Sequence, residues 1–159
     1  MPSPEPRIPE RSWSEEEELS LRLWIALARC YSTVAREVSA RIADYGLTPA
    51  QFGVLEALYH LGPLSLGELA EKLLVTGGNI TYVMDRLEDH ELVFRDRSGP
   101  DRRVVLARLT EKGQKLVRKV FPGHAAFISE LTKPLTTEDR QELRSLLKRW
   151  GKGISDQAD

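Results

Sequence analysis

The stretch TGGNITYVMDRLE, residues 76–88, decides the fold. Small polar residues open it, and apolar residues then recur at helical spacing, at Ile80, Val83, Met84 and Leu87. A helix with this pattern buries its apolar stripe against a core and presents the opposite face to solvent. The stretch therefore predicts the second helix of a helix-turn-helix motif.

Patterns on either side complete this motif. Upstream, the segment SLGE at residues 65–68 is a capping box that predicts a short preceding helix reaching Leu73. Downstream, β-rich runs at 92–95 and 104–109 flank turn residues and a basic DRR segment at 101–103, which predicts an antiparallel hairpin. Helix, helix and hairpin in this order make a winged helix-turn-helix, and that order points to double-stranded DNA as the partner.

Helical periodicity continues on both sides of the winged motif. Ser14 with Glu17, and Thr48 with Gln51, have capping-box spacing at two helix starts. Pro122-Gly123 is expected to bend the helix in which it lies. The predicted outer helices cover residues 14–45, 48–61, 110–131 and 136–151. The whole pattern predicts a mainly α fold with a small β-hairpin wing (α+β).

The length of 159 residues, 41% of them hydrophobic, favours a single domain. We expect it at residues 14–151. Residues 1–13 contain four prolines and are expected to be a mobile tail, and residues 152–159 form a second tail.

The outer helices are longer than the winged unit, at about 48–109, requires. A first helix of about 30 residues would be about 45 Å long. A second chain could bury the apolar faces of these helices, which would make about 14–45 and 110–151 dimerisation helices. The alternative is that they fold back on the same chain.

Charge is distributed unevenly along the sequence. The formal net charge is -1, but residues 95–119 carry nine basic groups against three acidic ones. Residues 1–20 carry six glutamates against two arginines. The net value averages two unlike regions and excludes no partner.

Cysteine and histidine are too few for a disulfide or a metal site. Cys30 is the one cysteine, and the histidines are scattered at 60, 90 and 124. The sequence shows no nucleophile motif, no signal segment and no long apolar run. We therefore expect a cytoplasmic, soluble protein that is not an enzyme and takes no cofactor or metal.

From Leu19 to Trp150 the chain resembles the MarR family of bacterial transcription regulators. The motifs that carry the resemblance are GLTPAQF at 46–52, LGELA at 66–70, DRLE at 85–88 and DRRV…LTEKG across 101–113. The family pattern usually has glycine where this chain has Glu91. A left-handed helix end would strain a glutamate by about 1 kcal/mol, so we expect the turn there to differ.

Two segments resemble a subgroup of the family that responds to hydroquinones, catechols and related phenols. They are LVTGGNITYV at 74–83 and FPGHAA at 121–126. The resemblance implies a homodimer that binds a pseudo-palindromic operator as a repressor and is released by a small phenolic or quinone-like ligand.

The resemblance also implies a DNA-binding surface at the start of the fourth helix. Gly77 and Gly78 would let backbone amides approach a phosphate, and Asn79 can pair with an adenine edge. The alternative is a solvated helix start, where these residues only cap. The implied DNA contacts are Ser65, Thr76, Gly77, Gly78, Asn79, Thr81, Tyr82, Arg86, Arg95, Arg97, Arg102 and Arg103.

At the hairpin tip, a guanidinium of Arg102 or Arg103 can enter a narrow minor groove, whose negative potential attracts it. Asp101 is expected to brace one of these arginines and not to touch DNA. Arg95 and Arg97 are candidate phosphate contacts, and the alternative for both is a solvated edge strand.

Effectors of the family usually lodge between the dimerisation helices and the winged domain. The matching aromatic and polar side chains here are Trp24, Tyr31, Phe52, Tyr59 and His60. They can line a ligand pocket. The alternative is that they are ordinary core residues.

Two rival hypotheses remain. One is a cysteine-based oxidation sensor on the same fold. Cys30 lies on the apolar side of the first helix, so we expect a buried, inert thiol; the peroxide-sensing members carry their reactive cysteine nearer the helix start, about where Trp24 falls. The other rival is a winged-helix protein-interaction module whose basic wing binds an acidic partner.

Overall fold

A computed structural model describes residues 12–73, 77–98 and 104–156. The mainly α prediction is confirmed. The helices are α1 Glu15–Ala43, α2 Pro49–Leu61, α3 Leu66–Leu73, α4 Gly77–Asp89, α5 Glu111–Leu131 and α6 Thr137–Ser155. The strands are β1 Leu64–Ser65, β2 Val93–Asp96 and β3 Leu106–Leu109. The chain divides between Glu37 and Val38 into two compact units.

Hydrogen bonds at the helix starts confirm the predicted capping boxes. The Ser14 amide donates to the Glu17 carboxylate at 2.7 Å, and the Glu17 amide donates to Ser14 Oγ at 3.2 Å. The same reciprocal bonds join Thr48 with Gln51 and Ser65 with Glu68. Thr136 and Asp139 form a further capping box that was not predicted. Each box satisfies backbone donors that a helix start otherwise leaves unpaired.

The described part of the chain contains a three-stranded antiparallel sheet, in the order β1-β3-β2. The predicted hairpin is confirmed as β2 and β3, which pair Val93 with Leu109 and Phe94 with Arg108. The third strand was not predicted. Leu64 pairs with Ala107, but β1 is only two residues long, too short to show an alternating pattern. It ties the start of α3 to the base of the wing.

The predicted apolar stripe of α4 is confirmed. Ile80, Val83, Met84 and Leu87 are each at most 5% exposed. They pack in one core with buried residues of α2, α3, β2, β3 and α5. Burial of such side chains is the main stabilising contribution to folding. The opposite face of α4 is left in solvent.

The junction between the wing and α5 depends on a glycine. A Cβ placed on Gly113 would lie 2.1 Å from the Leu92 carbonyl oxygen. That oxygen also accepts the Thr110 amide at 3.1 Å. The expectation that the turn at Glu91 differs from a left-handed helix end is wrong, because Glu91 adopts φ +59°. The Lys112 ammonium lies 3.1 Å from the Glu91 carboxylate.

The last two helices differ in part from expectation. Helix α5 is continuous through Pro122, and the predicted bend there stays a prediction. The predicted end of α6 at Gly151 is wrong, because the helix reaches Ser155. A single helical glycine costs only about 1 kcal/mol relative to alanine, so it does not by itself end a helix.

Apolar side chains remain exposed on the outer helices. No residue of α6, all of which the structure describes, is buried. Its exposed apolar residues are Leu143, Leu146, Leu147, Trp150 and Ile154. On the part of α1 before Val38 they are Leu19, Leu21, Leu23, Trp24, Ile25, Tyr31 and Val34.

Among the described residues, no helix is long and apolar enough to cross a membrane. In the same residues, no three His, Cys, Asp or Glu side chains are grouped as metal ligands.

Candidate nucleic-acid interface

Helices α3 and α4 form the helix-turn-helix, and α4 presents one polar face. Thr76 lies outside the described residues. The described α4 residues predicted to contact DNA are all exposed and lie on the polar side of the helix: Gly77, Gly78, Asn79, Thr81, Tyr82 and Arg86. The buried stripe fixes how the helix is rotated. The sequence pattern alone therefore decides which side chains face outward.

Tyr82 and Arg86 form a pair on this face. The guanidinium carbon of Arg86 lies 5.3 Å from the Tyr82 ring centroid, and Tyr82 is 57% exposed. A hydrogen bond to the Tyr82 side chain raises the pKa of Arg86, and the charge of Asp89 adds to the shift. An arginine stacked in this way is a preorganised, permanently charged donor.

Two hydroxyl groups of the predicted interface form hydrogen bonds with backbone groups. Thr81 Oγ1 donates to the Gly77 carbonyl oxygen at 3.0 Å. Ser65 caps α3, and its amide and hydroxyl lower the pKa of Glu68 through hydrogen bonds. Both hydroxyl oxygens are therefore hydrogen-bonded within the first turns of α3 and α4.

Arg95 lies in a different environment from the one that the sequence suggested. Its guanidinium is 18% exposed and pairs with the carboxylates of Asp85, at 2.8 Å, and Glu88. Its backbone amide also donates to Glu88, at 2.8 Å. The alternative of a solvated edge strand therefore does not describe Arg95. These bonds join β2 to the outer side of α4.

A second ion pair braces the wing strands. Arg108 Nε donates to the Asp96 carboxylate at 2.6 Å. Hydrogen bonds from the Ser98 hydroxyl and amide, with a smaller contribution from Arg108, hold the pKa of Asp96 below its usual value. Arg97 is exposed. The predicted wing-tip residues Asp101, Arg102 and Arg103 lie outside the described residues.

The residues of the predicted ligand pocket lie in unlike places. Trp24 and Tyr31 are 59% and 72% exposed on α1. Phe52 is buried in the core, with its ring 4.6 Å from that of His124. His60 is exposed, and its ring packs 4.6 Å from Phe121. Tyr59 is partly buried and packs edge-on against His60.

A cluster of unpartnered polar atoms adjoins Phe52. Among the described residues, Arg41 Nε, Tyr45 Oη and His124 Nδ1 are buried without a hydrogen-bond partner. The Arg41 guanidinium carbon lies 5.6 Å from the Tyr45 ring centroid, and the Tyr45 and Phe52 rings are 6.0 Å apart. Buried polar atoms in proteins are rarely left unpaired. We call these three residues with Phe52 the α1–α5 cluster.

Sequence reasoning missed most of this cluster. Arg41 lies in the last turn of α1, Tyr45 lies in the turn after it, and His124 lies in α5, so their proximity depends on the fold. The available signal was the FPGHAA segment at 121–126, which contains His124.

Cys30 is exposed. The expectation of a buried thiol is therefore wrong within this chain, because the apolar side of α1 on which Cys30 lies is itself exposed.

Comparisons with known proteins give one family. A family model described as the MarR family matches residues 45–104. The chain is 43% identical to the HTH-type transcriptional regulator MhqR of Bacillus subtilis, over 84% of this chain and 92% of that protein. It is 30% identical to the HTH-type transcriptional repressor MdtR of the same species, over 77% of this chain and 79% of that one.

A solved structure has a similar fold. The chain resembles BpsR of Bordetella bronchiseptica with a TM-score of 0.74 and 26% identity, over 89% of this chain and 98% of that one. The DNA binding of BpsR is regulated by 6-hydroxynicotinic acid.

Proposed function

This chain belongs to the MarR family of DNA-binding transcriptional regulators, and from that premise we propose that it is a homodimeric repressor released from its operator by a small phenolic or quinone-like ligand. The observation that carries the proposal is the two-sided α4. One side is fixed in the core by four apolar residues, and the other presents glycines, an asparagine and a stacked tyrosine–arginine pair to solvent.

Each recognition helix would enter a major groove by its N-terminal end. Gly77 and Gly78 allow the backbone amides to approach a phosphate, since open space surrounds both positions. Asn79 would read a base edge, and Arg86 would reach a phosphate or a base farther along the helix.

The wing would supply the remaining contacts. Arg102 or Arg103 would enter the minor groove, with Asp101 as a brace, and Arg97 would contact a phosphate. Arg95 was predicted as a phosphate contact, but its pairing with Asp85 and Glu88 supports a bracing role. It would hold α4 at a fixed angle to the wing.

The exposed apolar side chains of α6 support the homodimer. Contiguous exposed apolar surface on a soluble protein commonly marks an interface. A second copy would cover it and place two recognition helices about one helical turn of DNA apart, about 34 Å.

The α1–α5 cluster supports release by a ligand. Its three unpartnered polar atoms and the Phe52 ring match a phenol, which combines a flat apolar ring with a hydroxyl that both donates and accepts. An effector there would shift the spacing of the recognition helices and favour the released state. Similarity to MdtR, a repressor by name, supports repression, and similarity to BpsR supports control by a small aromatic molecule.

The experiment has two stages. DNA retained by the protein from its source genome is sequenced, and the site is then used in anisotropy titrations at several salt concentrations. Repressor binding to duplex DNA should weaken steeply with salt, because phosphate contacts release counterions. Weak, non-specific retention of DNA together with capture of an acidic protein would instead favour the protein-interaction module.

The second stage adds catechols, hydroquinones and salicylates to the preformed complex. An effector needs a differential affinity of only about 1–3 kcal/mol, which changes occupancy about 5–150-fold. Arg41→Gln should reduce the response and leave DNA affinity intact. If no compound releases DNA from a folded dimer, the phenolic-sensor proposal fails and the DNA-binding assignment stands.

The exposure of Cys30 favours a second candidate, the oxidation sensor. Cys30→Ser separates the two. Under the lead proposal, the variant keeps both its DNA affinity and its response to phenols. If a peroxide or quinone response disappears in this variant while DNA affinity stays normal, the oxidation sensor becomes the better account.

A further inference from the structure

The wing contains a carboxylate whose two oxygens are bonded in different directions. Asp96 is the last residue of β2, and its side chain is 15% exposed. Its Oδ1 accepts the Ser98 amide at 2.8 Å and also the Ser98 hydroxyl. Its Oδ2 accepts Arg108 Nε, from β3, at 2.6 Å. One side chain therefore links the end of β2 both to β3 and to the segment that leaves β2.

The strand register places these bonds at the tip end of the hairpin. Asp96 pairs with Leu106 at the last ladder position among the described residues. Arg108 stands opposite Phe94, two positions nearer the base, so Arg108 and Asp96 are diagonal neighbours on one face of the sheet. Residues 99–103, which lie outside the described residues, follow in the sequence and include the two arginines of the proposed minor-groove contact.

The charge of Asp96 has the wrong sign for a direct DNA contact. Phosphates are bound by basic side chains and by N–H or O–H donors, and a carboxylate repels them. Hydrogen bonds from Ser98, with a smaller contribution from Arg108, hold the pKa of Asp96 below its usual value, so the group is ionised at neutral pH. Both oxygens accept donors of the wing itself. The effect of Asp96 is therefore exerted within the wing.

Stability of the hairpin does not account for this arrangement. Partly exposed ion pairs contribute little to folding, and the Arg108 side chain is 40% exposed. The base of the hairpin is held in the core by Val93 and Ala107, which are almost fully buried, and by the pairing of Ala107 with Leu64. The base should therefore stay folded without Asp96, and the loss should be felt towards the tip.

We propose that Asp96 is a positioning residue of the DNA interface, which fixes the direction in which the chain leaves β2 and so places the wing-tip arginines against the minor groove. This inference rests on the wing contact of the proposed function. Arg108 anchors the carboxylate to β3, and the carboxylate holds Ser98. A tip that is held in this way loses less conformational entropy when it binds DNA.

The first test is the sign of the effect of Asp96→Ala on operator binding, measured by anisotropy. Removal of a negative charge alone should strengthen binding to a polyanion. Loss of a positioning residue should instead weaken it, by about fivefold to tenfold. Glu111→Gln is the matched control, since it removes an exposed carboxylate that pairs with Lys115 at the start of α5. Its affinity should equal or slightly exceed that of the wild type.

The second test asks whether Asp96 acts through the tip. Arg102→Ala with Arg103→Ala removes the two tip charges and should itself weaken binding. Adding Asp96→Ala to this double variant should cause no further loss beyond about twofold, because residues that act through one contact are not additive. Losses that multiply in full would show that Asp96 acts elsewhere and would overturn the proposal.

Two more variants separate positioning from folding. Asp96→Asn keeps an oxygen that can accept from Ser98, so it should recover part of the lost affinity. Ser98→Ala removes only the hydroxyl bond and should weaken binding less than Asp96→Ala does, with the same lack of additivity. All variants should melt within about 2 °C of the wild type. If Asp96→Ala unfolds, Ser98→Ala carries the test.

The outcomes distinguish this inference from the proposed function. Unchanged or tighter operator binding by Asp96→Ala overturns the positioning role, while specific binding by the wild type leaves the regulator assignment standing. A wild type without any specific site would refute the proposed function, and with it the wing contact through which Asp96 acts. No effector enters the experiment, so a failure of phenolic release leaves its result unaffected.

Discussion

The winged unit and α6 differ in the burial of their apolar side chains. In the winged unit, Leu55 and Leu69 are fully buried. On α6, Leu143 and Leu146 are 43% and 42% exposed. Both regions show helical periodicity in the sequence, so the pattern alone does not distinguish them. The difference lies in what covers the apolar face.

This contrast separates the apolar surface that one chain buries by itself from the apolar surface that it leaves exposed. The winged unit shares one closed core with α5 and the end of α1, because α2, α3, α4, the sheet, α5 and Ile42 bury one another's apolar faces. Helix α6 offers leucines and a tryptophan to solvent along one side. The homodimer proposal rests on this contrast.

The largest effect is expected at the junction between the wing and α5. Gly113→Ala places a methyl group where the Leu92 carbonyl oxygen would lie 2.1 Å away. The backbone must move, so we expect a loss of about 3 kcal/mol or more in the free energy of unfolding. Urea denaturation measures it.

Gly151→Ala is the matched control, since nothing lies within 4 Å of that position on α6. Higher helix propensity should leave its stability equal or raised by up to about 1 kcal/mol. Equal stability of both alanine variants would refute the steric account of the junction.

The next effect concerns the exposed apolar side of α6. Leu146→Glu with Leu147→Glu should leave the winged unit folded but separate the two chains, because charges would then enter the proposed interface. Operator affinity should fall about 100-fold or more through lost bivalency. Light scattering and anisotropy measure the two effects.

Gln141→Glu tests whether added charge on α6 is itself harmful, and it should change neither property. A double variant that remains dimeric would show that α6 does not form the interface.

A smaller effect is expected on the exposed face of α4. Asn79→Ala should cost about 1–3 kcal/mol on the cognate site and much less on random DNA, if Asn79 reads a base edge. Competition anisotropy compares the two DNAs. An equal loss on both would make Asn79 a phosphate contact.

The smallest effect involves the cap that starts α3. The Ser65 amide, and then its hydroxyl, hold the pKa of Glu68 below its usual 4.5. A lowered folded pKa stabilises the fold above the unfolded pKa, and this stability is lost as the pH falls through the folded value. Glu68→Gln should therefore lower Tm slightly at neutral pH, and the difference from wild type should shrink at about pH 3. A gap that widens in acid would contradict this role.

Local signals predicted much of the fold. The capping boxes at Ser14, Thr48 and Ser65 mark helix starts because each involves residues only three positions apart. The stripe of α4 was predicted in full, since burial follows the helical period when one face meets a core. These features depend on neighbours in sequence.

Features that depend on distant residues were missed or misplaced. Strand β1 exists only because Ala107 and Leu106 pair with it. Arg95 pairs with Asp85 on α4, ten positions earlier, because β2 returns along that helix. The left-handed Glu91 is held by the contacts around Thr110, which outweigh a local strain of about 1 kcal/mol.

The candidate effector site shows the same limit. The resemblance to the family selected aromatic residues from the stretch that matches its effector site, which indicates a region of the chain but not which side chains share a pocket. The cluster of Arg41, Tyr45 and His124 joins the end of α1 to α5, and nothing in local periodicity predicts that proximity.

The most direct test of the central claim is the number of chains on one operator. Sedimentation equilibrium of the protein on a short duplex of its own site gives that number. Two chains per duplex, and a free protein of twice the 18.0 kDa chain mass, are expected if the exposed side of α6 is covered by a second copy. A single 18.0 kDa chain that binds the duplex with full affinity would contradict the account.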